Sequence, residues 1–178
     1  MNIKKLKFIT FFITLCLTFL CHFMYDWFPN TLTSIFFPVN ESIWEHMKML
    51  FTTILIGGLI EYIIIKKQNL KFNNILLILF FKSLVSIPIF LLFYLPLYYI
   101  FGENMVISIT IMTIVLILIE IFSFYLLHIN EIKYQGVISI VLIILSYIIF
   151  SLLTYYPPKT ELFYDKTKNK YGINHYEI

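Results

Sequence analysis

A chain of 178 residues that is 60% hydrophobic, 19% aromatic and 13% charged is not a soluble globular domain, in which about 25% of residues carry charge. Its mean hydropathy of +0.87 and its uninterrupted apolar runs call instead for a membrane protein that crosses several times. The net charge of +3 comes from lysine alone; topology already accounts for the connector lysines, so nucleic acid is set aside as a partner and membrane lipid takes its place.

Five apolar segments are long enough to span, at about 20 residues each: residues 7–25, 42–65, 74–101, 105–128 and 136–156. The expected fold is an all-α polytopic bundle over residues 1–156, followed by a hairpin-like extracytoplasmic tail, 157–178. Lys4, Lys5 and Lys7 precede the first run in the manner of a secretory signal. No small-x-small cleavage site follows, and Leu20 stands before Cys21 where a lipoprotein signal needs a small residue, so the run reads as an uncleaved first helix. Cys16 and Cys21 point to different faces of it and read as buried small hydrophobes, not as a bridge. The connector Phe28–Val39 is itself apolar and is predicted to lie along the outer surface.

The second segment opens with the densest polar run in the chain, Pro38-Val39-Asn40-Glu41-Ser42-Ile43-Trp44-Glu45-His46-Met47-Lys48. A carboxylate or imidazole carried into lipid without a partner costs several kcal/mol. At 100° per residue Glu41, Ser42, Glu45, His46, Lys48, Thr52 and Thr53 share an arc of about 160° that should face a bundle interior or a wet cavity. His22, five residues before Trp27, comes to a similar depth on the antiparallel first helix, so His22, Glu41, Glu45 and His46 can converge. Three readings of this group stay open. One is helix chemistry alone: a Ser42-x-x-Glu45 capping box and a Glu45–Lys48 pair. A second is a divalent-metal site, zinc or a related ion, with Glu41 or Glu45 as general base. The third is a proton- or cation-coupled pocket without metal.

Further in, Glu61 is placed to snorkel toward Lys66 or water, and Gly57-Gly58 to let helices approach closely. The third segment carries Pro88 and Pro96 and should bend or end early near Pro96. Lys82 and Glu120 each lie eight residues in from the same membrane face, which makes them a buried ion pair, either a packing lock or part of an ion path. Lysines at the N-terminus and in the second and fourth connectors place the N-terminus in the cytoplasm and the C-terminus outside, in a bacterial plasma membrane. Trp27, Tyr94, Tyr98, Tyr99, Tyr155 and Tyr156 then form an outer interfacial belt. Pro157-Pro158 ends the fifth segment, and residues 162–165 and 170–173 flank a turn as a small hairpin able to fold over the His22/His46 cluster. Asp165-x-Thr167-x-Asn169 is only a faint echo of a calcium loop.

On His22-Phe23-x-Tyr25-x-Trp27, the run from Pro38 to Lys48, Glu61-Tyr62, Tyr156-Pro157-Pro158, and the flanking pair Leu162-Phe163-Tyr164-Asp165 and Lys170-Tyr171-Gly172-Ile173, the chain resembles a family of small bacterial multi-pass membrane proteins of unknown function, DUF6512. The resemblance implies a membrane fold and brings no activity, cofactor or catalytic assignment. Three functional classes remain: a metal-dependent protein acting on a lipid or envelope substrate, a small proton- or cation-coupled carrier, and a non-catalytic accessory subunit of a membrane complex.

Overall fold

Four of the six α-helices among the described residues start where a short polar side chain supplies an oxygen to the first free amides. A computed structural model describes residues 2–173. In it, Asn2 caps α1 (Ile3–Trp27), Asn30 caps α2 (Thr31–Phe36), Ser42 caps α3 (Ile43–Lys67) and Asn104 caps α5 (Met105–Leu126). Asn74 precedes α4 (Ile75–Phe101) in the left-handed region, and its side chain ties two connectors together, donating to Asn130 O at 2.8 Å and accepting from Ile132 N at 2.7 Å. α6 (Gln135–Tyr155) follows, and then a two-stranded antiparallel hairpin of β1 (Tyr164–Asp165) and β2 (Lys170–Tyr171). Of the tail, residues 174–178 lie outside the described residues.

Helices α1, α3, α4 and α5 close into a ring: α3 packs on α1 and α4, α4 on α5, and α5 back on α1. α6 lies outside this ring, against α4 and α2. Among the described residues five helices are long and apolar enough to cross a membrane; α3 is the most enclosed of them and α6 the least. The outer surface carries Phe8, Ile63, Leu92, Ile121, Ile144 and Leu152 exposed, a large apolar surface that suits lipid contact and not water. Gly57 and Gly58 mark the tightest crossing. A Cβ on Gly57 would strike the Thr14 side chain of α1, and one on Gly58 would stand 2.9 Å from Leu79 Cγ and 3.0 Å from Lys82 Cε of α4.

The connector expectation gains detail and three others are corrected. The connector Phe28–Val39 contains a helix, α2, fixed by a reciprocal Asn30/Thr33 capping box and by a 2.7 Å hydrogen bond between Ser34 Oγ and the Tyr155 hydroxyl. Pro96 does not end α4, which continues to Phe101 and stops at Gly102, φ +71; neighbouring helices re-satisfy backbone groups that a membrane-helix proline frees. Cys16 is exposed and only Cys21 is buried; both are free thiols. Tyr94 and Tyr98 leave the expected belt and turn inward, each 6% exposed, whereas Trp27, Tyr99 and Tyr156 face outward.

Candidate functional site

Three polar centres sit inside this apolar frame, and the sequence-level candidates divide among them. Glu45 belongs to the first. Ser42 caps its amide at 3.4 Å, so half of the capping box forms, but the Glu45 carboxylate turns away from the Ser42 amide. It pairs with Lys48 at 2.6 Å and accepts from Thr154 Oγ1 of α6 at 2.7 Å and from Val39 N at 3.2 Å. Lys48 completes its shell with Ser34 O of α2 at 2.8 Å and Thr154 Oγ1 at 3.0 Å. Both side chains are sealed from solvent. Every charge here is paired and hydrogen-bonded, as a buried pair must be, and the centre binds α2, α3 and α6 to one another.

His22, Glu41 and His46 form the second centre, and the structure does not bring Glu45 to it. Nε2 of His22 and Nε2 of His46 each lie 3.5 Å from Glu41 Oε2, and one ligand atom from each of the three residues falls within 4.8 Å of the others. The two rings stand 5.4 Å apart at 57°. His46 Nδ1 is 3.0 Å from Ser42 O; a carbonyl only accepts, so Nδ1 donates, and Nε2 is the ring nitrogen turned toward Glu41. The side chains are half-buried, at 27%, 34% and 21% exposure for His22, Glu41 and His46. The adjacent His22 imidazole holds the Glu41 carboxyl below its usual range; burial pushes the other way, and the His46 imidazole adds to the lowering.

These three side chains face a cavity of about 360 Å3 between the ends of α1, α3, α4 and α5 nearest the hairpin. Its walls are mainly apolar, with Phe90 and Tyr94 of α4 facing Met49 and Met112, and the hairpin contributes Tyr164 and Lys166. The tail thus does fold over the histidines. It is bolted to their loop: Glu41 N donates to Asp165 Oδ2 at 3.1 Å and Asn40 Nδ2 donates to Gly172 O at 2.9 Å. Asp165 also takes Thr167 N, Thr167 Oγ1 and Lys168 N on Oδ1. Burial pushes its carboxyl up, but these donors outweigh burial and the net shift is downward. The motif that echoed a calcium loop is therefore the turn of the hairpin. Lys166 Nζ lies 4.6 Å over the Tyr98 ring and 3.1 Å from Glu161 Oε1.

The third centre contains Lys82 and Glu120, 3.0 Å apart, and the sequence reading missed half of it. Glu61 does not snorkel. It pairs with Lys82 at 3.0 Å and with Lys7 of α1 at 2.5 Å, and Lys7 reaches Glu120 at 3.3 Å and Ser123 Oγ at 2.7 Å. Two lysines and two glutamates thus alternate in a closed, neutral ring, one from each helix of the four-helix core. Lys7 read as a topology signal because its three-residue lysine cluster hid which member turns inward. Tyr94 and Tyr98 did leave a signal, the four-residue spacing Phe90/Tyr94/Tyr98 that stacks rings along one helix face.

The chain belongs to the family of unknown function DUF6512, whose family model matches residues 1–173. No curated protein and no solved structure matches it.

Proposed function

We propose that this protein is a membrane-embedded metal protein in which His22, Glu41 and His46 hold a divalent cation, zinc being the best match, at the wall of the cavity, where it acts on or coordinates the polar end of a lipid or envelope molecule. The convergence of the three ligand atoms carries the reading. Two N···O separations of 3.5 Å are close to the roughly 3.3 Å edge of a tetrahedron built on ~2.0 Å metal–ligand bonds. Two imidazoles and one carboxylate are a donor set that catalytic zinc uses, and the fixed His46 tautomer supplies the outer-shell hydrogen bond such ligands need. With three protein ligands, a zinc ion held by His22, Glu41 and His46 would supply Lewis acidity to an oxygen of the bound molecule or to water. Glu41 is the one carboxylate the triad offers; Glu45 is fully engaged with Lys48 and Thr154.

Elemental analysis of the detergent-purified protein tests this. The wild type should carry stoichiometric divalent metal, and His22→Ala and His46→Ala should lose it while keeping their helical circular dichroism. A metal-free wild type, loaded with zinc and still empty, overturns the reading. One observation favours a second reading, a proton- or cation-coupled carrier: titratable clusters stand toward both ends of α1 and α3. That reading requires a metal-free protein whose transport in vesicles follows a proton gradient.

A further inference from the structure

The cavity's 360 Å3 lies in the range of small-molecule sites. It has room for a polar head and the first part of a chain. Phe19, Phe23 and Met105 line it, yet they are 47%, 45% and 74% exposed. Side chains can do both only at a rim, so besides the rim that exposed Glu103 and Lys166 form at the hairpin end, the cavity has a sideways mouth between α1 and α5, on the surface that suits lipid. At the far end of the same helix pair, Lys7 binds Glu120 and Ser123. The two helices are pinned together there, away from the cavity.

Charge at the lining is equally directional. Glu41, Glu103 and Lys166 all contribute to it, and Glu161 sits against Lys166. Without a cation the acidic groups prevail; a divalent ion on the triad cancels that excess and stands with Lys166 as a second positive centre in the same cavity. A lysine ammonium has three donors, so Lys166 can keep Glu161 and still bond an incoming oxygen.

We infer that the ligand is a membrane amphiphile with an oxyanion head group, which enters sideways between α1 and α5, leaves its chain in that opening, and is held by Lys166 beside the metal. This rests on the proposed metal centre for the balance of the cavity's charge, and the test separates the two.

Zinc-loaded protein in phosphocholine nanodiscs is titrated with monoacylglycerol phosphate, with the fatty acid and the neutral monoacylglycerol of the same chain length, and with free glycerol phosphate, and zinc is assayed in every sample. At least one oxyanion amphiphile should bind about tenfold or more tightly than both the neutral analogue and glycerol phosphate. Lys166→Ala should remove about fivefold or more of that preference without changing zinc content. A photoreactive group on the chain of the preferred amphiphile should label α1 and α5. Equal binding of the neutral analogue, equal binding of glycerol phosphate, an unchanged Lys166→Ala variant, or labelling confined to α6 each overturns the inference even where zinc is bound. Selective, Lys166-dependent binding by protein that holds no zinc sustains the amphiphile and removes the metal.

Discussion

The backbone amide of Glu41 donates to Asp165 Oδ2, while Asp165 Oδ1 collects two amides and a hydroxyl of its own hairpin turn. One buried carboxylate therefore joins the tail to the loop that carries a proposed metal ligand. Asp165→Asn separates the two roles. The asparagine oxygen still takes the hairpin donors, but its amide nitrogen then faces the Glu41 N–H, donor against donor. Zinc affinity should fall by about tenfold, the effect of losing a charge-assisted hydrogen bond of roughly 1.5 kcal/mol, while the hairpin stays protected in hydrogen exchange. Asp165→Ala should lose that protection too. The carboxyl sits below the ordinary value of 3.8, so its anchoring is complete above the ordinary aspartate range and is lost as pH falls below it toward the folded value. Hydrogen exchange of residues 164–171 should stay protected at neutral pH and open only in acid below that range. At this scale the triad was legible: His22 counted down from Trp27, and His46 counted down from Asn40, fall at one depth. Glu45 was not separable from the triad in the sequence, because its partners Thr154 and Ser34 come from elements distant in the chain.

Long apolar periods made the five spanning helices readable, since a bilayer imposes a length that composition reveals directly. α2 was not, because six residues carry too little pattern and only the Asn30/Thr33 box betrays it. The prolines of α4 misled for a different reason: the rule that proline ends a helix weakens inside a membrane bundle. Between elements, the decisive contact is the ring Lys7–Glu61–Lys82–Glu120, which joins α1, α3, α4 and α5 in one closed circuit. Lys82 is 1% exposed and bonds both carboxylates. Lys82→Met should destabilise the protein by about 3–5 kcal/mol, because two buried glutamates lose their shared cation. Replacing all four members together with apolar residues of similar volume should cost far less, since the desolvation penalty disappears with the charges. Thermal unfolding in detergent distinguishes these outcomes: a quadruple variant as unstable as Lys82→Met would show that the ring adds net stability beyond charge balance.

On the whole molecule, the two ends differ in kind. One end carries Lys4, Lys5, Lys66, Lys67, Lys71 and Lys133; the other carries the cavity and the hairpin with Lys159, Lys166, Lys168 and Lys170. Lys7 drops out of this comparison, since its charge is spent inside the ring. Lysines in short connectors bias orientation more strongly than those beyond the last span. Lys166 is further discounted, being paired with Glu161 at 3.1 Å. The balance favours the cavity on the extracytoplasmic side, where an envelope or outer-leaflet amphiphile would meet it. Single cysteines test this against a low background: Cys21 is buried, and Cys16 lies on the lipid-facing side of α1. Thr160→Cys sits in the exposed segment before the hairpin and Glu131→Cys in the exposed α5–α6 connector, and both sites are clear of the charge ring and the triad. A membrane-impermeant maleimide applied to intact cells should label Thr160→Cys at once and Glu131→Cys only after permeabilisation. The reverse pattern would put the cavity, its proposed metal and its ligand on the cytoplasmic face, and the connector lysines would then have failed to set the orientation of the chain.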